Sequence, residues 1–156
     1  KWFFFASNGV MTTGWLYTSG AWYYLDPSGS MHTGWLQMGS NWYFMGDSGA
    51  MTIGWKPIGG TWYYFDGAGV MATGWKQVGG SWYFMNESGQ MVTGWLREGD
   101  AWYFMQPSGA MISGWKSIGG SWYYFADSGV MATGRVIVSG RMSSFADSGR
   151  WLGYAS

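Results

Sequence analysis

The chain has 156 residues, no cysteine, and 8 basic against 8 acidic side chains, for a formal net charge of zero. Charged residues are 10% of it and aromatics 22%, with 28 glycines, whereas an ordinary domain carries about 25% charged residues. Aromatic richness excludes disorder, no apolar run approaches the roughly 18 residues of a spanning helix, and basic residues scattered singly leave no positive groove for nucleic acid.

The chain opens on Lys1-Trp2-Phe3-Phe4-Phe5, which reads as the middle of a repeat and therefore as a fragment whose upstream portion is missing. The absence of cysteine fits a secreted bacterial protein and fits the cytosol equally. Residues 13–31 hold the first whole unit. Two aromatic-rich runs, Trp15-Leu16-Tyr17 and Trp22-Tyr23-Tyr24-Leu25, flank a loop containing Gly20, the pattern of a β-hairpin. A polar turn follows, Asp26-Pro27-Ser28-Gly29, and then Met31.

The unit then returns with a fixed spacing. One tryptophan series runs Trp15, Trp35, Trp55, Trp75, Trp95, Trp115, and a second runs Trp2, Trp22, Trp42, Trp62, Trp82, Trp102, Trp122. Later hairpin loops carry Gly59-Gly60, Gly79-Gly80 and Gly119-Gly120. A glycine also precedes each tryptophan of the first series, which predicts a close backbone approach or a bend between units. A period of about 20 residues marks a repeat architecture in which each unit buries its apolar face on its neighbours. The expected fold is all-β, a solenoid of about seven tandem hairpins. Any site built between consecutive units recurs, so the expected function is multivalent binding.

Strand alternation sorts the aromatics by face. Trp22 and Tyr24 share one face, and the equivalents of this pair stay aromatic in every full unit; Tyr23 and Leu25 share the other, where Met substitutes freely. The second pair and its equivalents read as packing. For the two tryptophan series both core packing and ligand contact stand, since a thin stack has few other ways to bury area. The insistence on an indole where Leu would supply the same apolarity favours use of its π-face.

Trp15 and Trp22 can neighbour one another across the hairpin. With one aromatic from the next hairpin they would form a three-walled box that suits a quaternary ammonium, held by ring quadrupoles without any carboxylate. Three contacts at about 0.5–2 kcal/mol each reach about the 4.1 kcal/mol of a millimolar site. Single boxes should be weak, and avidity from several on a repetitive ligand should carry the function.

Gly54-Trp55, Trp62-Tyr63-Tyr64-Phe65 and Gly69-Val70-Met71-Ala72-Thr73-Gly74-Trp75 resemble the choline-binding (cell-wall-binding) repeats of pneumococcal-type surface proteins and lysins. The resemblance is strong over residues 1–134 and weak over 135–156, which reads as a divergent capping or dimerisation repeat. It implies a left-handed superhelix of hairpins on a secreted protein at the cell wall. It also implies binding of choline or phosphocholine of teichoic or lipoteichoic acid, with no cofactor and no catalysis in this region. Carried over by position, the boxes are Trp15, Trp22 and Phe44; Trp35, Trp42 and Tyr64; Trp55, Trp62 and Phe84; Trp75, Trp82 and Phe104; and Trp95, Trp102 and Tyr124. Met31, Met51, Met71, Met91 and Met111 are the candidate fourth walls.

The last unit departs from the pattern. Arg135, Met142 and Ser144 stand where Trp, Trp and an aromatic are expected, so a box at Trp115 and Trp122 would lack its partner and Arg135 would repel an ammonium. Val136-Ile137-Val138 and Trp151-Leu152 offer that tail an apolar surface for a homodimer. The alternative function is a glucan-binding repeat module of a glucosyltransferase or toxin, because flat rings also stack on sugars; it would want more polar side chains beside each ring. An enzyme has little support. His32 is the single histidine, expected in a solvated loop, and the Asp residues sit in turns for backbone reasons.

Overall fold

In the computed structural model, which describes residues 1–155, every regular element is a strand. β1 (Gly14–Thr18) pairs with β2 (Ala21–Leu25), β3 (Gly34–Met38) with β4 (Asn41–Met45), and β5 (Gly54–Ile58) with β6 (Thr61–Phe65). The series continues with β7 (Gly74–Val78) and β8 (Ser81–Met85), β9 (Gly94–Glu98) and β10 (Ala101–Met105), and β11 (Gly114–Ile118) and β12 (Ser121–Phe125). The last sheet has three strands, β13 (Gly134–Val138), β14 (Arg141–Phe145) and β15 (Trp151–Tyr154), in that order. The strands fall into two compact units, Lys1–Gly74 with Met85–Met91, and Trp75–Phe84 with the chain from Val92 onward.

Each hairpin turns through two residues. At Gly59 and Gly60 φ is 59° and 80°, the pair of positive values that matches a two-residue turn to the twist of its strands. The glycines before the first tryptophan series act as bends. Gly54 has φ 75°, and a Cβ there would meet nothing within 4 Å, so close backbone approach is not the reason for glycine at this position.

Register fixes two faces per hairpin. Trp15 lies opposite Tyr24, Tyr17 opposite Trp22, and Leu16 opposite Tyr23. Trp15, Tyr17, Trp22 and Tyr24 therefore share one face, while Leu16, Tyr23 and Leu25 share the other. The last residue of the second strand is buried in every hairpin. Met45, Phe65, Met85, Met105 and Phe125 are 0% exposed, and each such side chain stabilises the fold by about 1.5–3 kcal/mol.

Successive hairpins are also tied through the backbone. In the first unit the amide of Met51 donates to the Trp22 carbonyl at 2.7 Å, and that of Met71 to Trp42 at 2.8 Å. In the second unit Met111 donates to Trp82 and Met131 to Trp102, both at 2.8 Å. The methionine side chain then runs under the next polar turn. A Cβ on Gly49 would fall 2.3 Å from the Met31 sulfur, so the methionine would have to shift to admit a side chain at a position whose φ is already +82°.

Three of the polar turns, at Asp26, Asp66 and Asn86, are Asx turns. Asp26 Oδ1 accepts from the amides of Ser28 at 2.9 Å and Ser30 at 3.0 Å, and Asn86 does the same for Ser88 and Gln90, both at 3.0 Å. His32 is half-buried rather than solvated. Its Nε2 donates to the Trp35 carbonyl at 2.8 Å, and its ring meets Tyr24 edge-on.

Candidate functional site

One cleft of the first unit lies between the β3–β4 and β5–β6 hairpins and is lined by Trp35, Trp42, Tyr63, Met71, Glu87 and Ser88, with a volume of 480 Å³. Trp35 and Trp42 stand nearly perpendicular, with centroids 6.1 Å apart and planes at 85°. Tyr63 closes the third side, 5.0 Å from Trp35. A cleft of 390 Å³ repeats this arrangement in the second unit with Trp95, Trp102, Tyr123, Met131, Asp147 and Ser148.

Other repeats show the same geometry. Trp15 meets Trp22 at 6.4 Å and Tyr43 at 5.1 Å. Trp75 meets Trp82 at 6.5 Å and Tyr103 at 4.8 Å. Trp55 and Trp62 hold the same perpendicular relation, 6.5 Å apart at 82°.

The second tryptophan series is open to solvent. Trp22, Trp42, Trp62, Trp82 and Trp102 are 44%, 37%, 45%, 41% and 40% exposed. These indole faces are therefore open to contact from solvent.

The third walls carried over by position stand elsewhere. Phe44 lies against Trp35 of its own hairpin at 5.2 Å, Tyr64 against Trp55 at 5.1 Å, and Phe84 against Trp75 at 5.1 Å. Phe104 lies against Trp95 at 5.2 Å and Tyr124 against Trp115 at 5.3 Å. Each flanks its indole on the same hairpin face. The reason is parity: hairpins stack front to back, so the tryptophan face of one meets the opposite face of the next. That face carries Tyr43, Tyr63, Tyr103 and Tyr123, the series that strand alternation alone assigns to packing.

The methionines take definite places. Met71 joins Trp35 and Trp42, and Met31 lines a cavity with Trp2, Phe3, Tyr23 and Asp47. Met51 and Met111 hold the same backbone register beside Trp22 and Trp82, and the Met91 amide donates to the Trp62 carbonyl at 2.9 Å. Met131, with no role in the positional transfer, lines the cleft of Trp95 and Trp102. Two carboxylates were also missed, Glu87 and Asp147, each on a polar turn that reaches a cleft rim.

The pair Trp115 and Trp122 does not lack a partner. Trp151 from β15 comes within 5.4 Å of Trp115, and Tyr154 completes the lining. Trp151 holds the repeat position occupied by methionine elsewhere, while Ser143 replaces the tyrosine wall. The exchange is not fully optimised: Ser143 Oγ and Trp151 Nε1 are buried without hydrogen-bond partners, at about 1–3 kcal/mol each.

Tandem hairpins with perpendicular indole pairs closed by a tyrosine of the following hairpin make a repeat module with recurring aromatic clefts. Profiles of the choline-binding repeat match residues 1–33, 72–114 and 112–152, and those of the putative cell wall binding repeat match 33–51 and 53–71. The chain belongs to the choline-binding repeat family, and the match runs through the divergent last unit.

No curated protein sequence matches the chain. Among solved structures it is similar to CbpJ of Streptococcus pneumoniae TIGR4, at 38% identity and TM-score 0.92, covering 96% of this chain and 56% of that one. Choline-binding protein F of S. pneumoniae, solved with a peptidoglycan analogue, gives 39% identity and TM-score 0.89 over 96% of this chain and 55% of that one. The pneumococcal cell wall endolysin of phage Cp-1, complexed with choline, gives 35% identity and TM-score 0.56 over 77% and 37%. The chain thus spans little more than half the length of the two pneumococcal proteins.

Proposed function

We propose that this chain is a non-catalytic anchoring module of a secreted protein, and that it holds that protein to the cell wall by binding choline groups of teichoic or lipoteichoic acid. The observation that carries the reading is the box of Trp35, Trp42 and Tyr63, with Met71 as floor and Glu87 at the rim. Three ring faces satisfy a trimethylammonium group, which needs dispersion on its methyls and negative potential around its charge. The carboxylate adds to that potential, whereas a neutral sugar would gain nothing from net charge. The one histidine is engaged with the Trp35 carbonyl, which supports a binding role rather than a catalytic one.

Residues 135–156 depart from the repeat pattern, and the exposed Ile137 and Leu152 among them are the surface we assign to self-association; sedimentation with and without choline tests it. Binding itself is tested by tryptophan fluorescence titrated with choline chloride against sodium chloride at equal ionic strength. A saturable choline-specific change near millimolar concentration, followed by choline-reversible retention on lipoteichoic acid, supports the reading. Identical responses to both salts, with circular dichroism intact, reject it.

A further inference from the structure

The 12 methionines differ in what can reach them. Met45 and Met85 are 0% exposed, and Met38 is 36% exposed. Met71 stands between these extremes, half-buried in the lining of the cleft of Trp35 and Trp42. The opening of that cleft is the route by which a solute reaches it.

The Met71 thioether also holds the cleft together. Its backbone is fixed, with the amide donating to the Trp42 carbonyl at 2.8 Å and the residue bridging to Phe65. A Cβ on Gly89 would fall 2.3 Å from the Met71 sulfur and 2.7 Å from its methyl carbon, so the thioether packs directly on the Gly89 backbone. Gly89 belongs to a tightly held turn. Asn86 Oδ1 accepts from the amides of Ser88 and Gln90, both at 3.0 Å, and the Gly89 amide donates to the Asn86 carbonyl at 2.8 Å. Glu87 and Ser88 of this turn line the cleft. One sulfur therefore supports both the floor and the rim. The arrangement recurs in the second unit, where a Cβ on Gly149 would fall 2.2 Å from the sulfur of Met131, beside Asp147 and Ser148.

A thioether open to solvent is a substrate for two-electron oxidants. The sulfur lone pair attacks one oxygen of hydrogen peroxide, and an S–O bond forms as the O–O bond breaks. The departing hydroxide takes the proton of the transferred oxygen and leaves as water. Sulfur is oxidised to the sulfoxide and peroxide is reduced. The product side chain is polar where the thioether was apolar. Gly89 leaves no space on its side of the sulfur, so the new oxygen stands in the cleft or displaces the turn that carries Glu87 and Ser88. In both arrangements the apolar floor beneath a methylated ammonium is lost.

We propose that Met71 is an oxidative modification site for hydrogen peroxide or a similar two-electron oxidant, and that its sulfoxide weakens binding in the cleft of Trp35, Trp42 and Tyr63. The effect on binding rests on the reading of that cleft as a choline site; the oxidation itself does not.

The test uses the whole chain labelled at its methionine methyl carbons and treated with hydrogen peroxide. NMR follows the conversion of each methyl to its sulfoxide, with and without saturating choline. Met71 should convert more slowly than Met38 and faster than Met45 and Met85, and choline should slow Met71 but not Met38. Choline is then titrated into the treated chain, with the Trp42 indole N–H as the reporter of this cleft. Affinity there should fall by about three- to fivefold, the fold-change that matches one lost buried methylene contact. Met71→Leu, a volume-conserving change, should bind choline like the untreated parent and keep that affinity after peroxide. Conversion of Met71 as slow as that of Met45 overturns the modification site. An equal loss of affinity in parent and Met71→Leu overturns its link to the cleft. If the untreated chain binds no choline, the choline reading falls and the binding effect with it, while the order of conversion still decides whether Met71 is modified.

Discussion

Trp35 and Tyr63, on successive hairpins, meet with ring centroids 5.0 Å apart and planes at 70°. This contact both packs one repeat on the next and leaves the tyrosine ring as the third side of the cleft. It needs only the ring, since the box supplies π-faces rather than hydrogen bonds. Tyr63→Phe is expected to keep choline affinity at that cleft within about twofold. Tyr63→Ala removes one cation–π contact of about 0.5–2 kcal/mol, or roughly 2- to 30-fold in affinity at one site. Calorimetric titration of both variants checks this, and an alanine variant that binds like the parent at every site would show that Tyr63 is packing only.

Gly49 couples one turn to the preceding methionine. Its φ of +82° costs a residue with a Cβ about 1–2 kcal/mol, and that Cβ would lie 2.3 Å from Met31 Sδ. Gly49→Ala is expected to lower stability by more than the backbone term alone. Adding Met31→Ala relieves the clash and leaves the φ cost, so the two changes should be non-additive in thermal unfolding. Strict additivity would mean that Met31 moves aside freely.

Asp26 makes one turn acid-sensitive. The hydrogen bond from the Ser28 hydroxyl holds its carboxyl below the usual range against an opposing desolvation, helped by the amides of Ser30 and Ser28 and the charge of Lys1. A depressed folded pKa contributes stability above the unfolded value of about 3.9, and that contribution is lost as pH falls through the lower folded value. Asp26→Asn should keep the turn, because Asn86 caps its own turn in the same way. Protection of the Ser28 and Ser30 amides, corrected for intrinsic exchange, should fall as pH is lowered below about 4 more in the parent chain than in the variant. An equal loss of protection in both would place the acid sensitivity elsewhere.

Hairpins, turns and the two indole series were legible because period and alternation are local properties of the sequence. Trp15 and Trp22 could be paired from seven-residue spacing across one loop. For the third wall the positional transfer names Tyr64 where the structure sets Tyr63 against Trp35, and the signal for Tyr63 was present. If Trp35 and Trp42 face the next hairpin, then Tyr64, of the same parity, must face the hairpin after that, and only Tyr63 can answer Trp35. Glu87 was hidden for a different reason, because it reaches the cleft from a turn beyond the next hairpin, and no local pattern marks it. Trp151 was hidden by a β-bulge between β14 and β15, which alternation cannot anticipate.

The carboxylates give clefts of one shape different strengths. Glu87 lines the cleft of Trp35 and Trp42, while the equivalent position one repeat earlier in the sequence is Gly67. An exposed carboxylate beside a bound ammonium contributes up to about 1 kcal/mol and is screened by salt. Glu87→Gln should therefore weaken choline at this one cleft by about two- to fivefold at low ionic strength, with the difference fading as sodium chloride is raised. The aromatic contribution persists in salt, because ring faces in van der Waals contact with the methyl groups are not screened. Titrating parent and variant at low and high salt separates the two terms. A Glu87→Gln loss that is the same at both ionic strengths would mean that the side chain acts by shaping the turn, not by its charge.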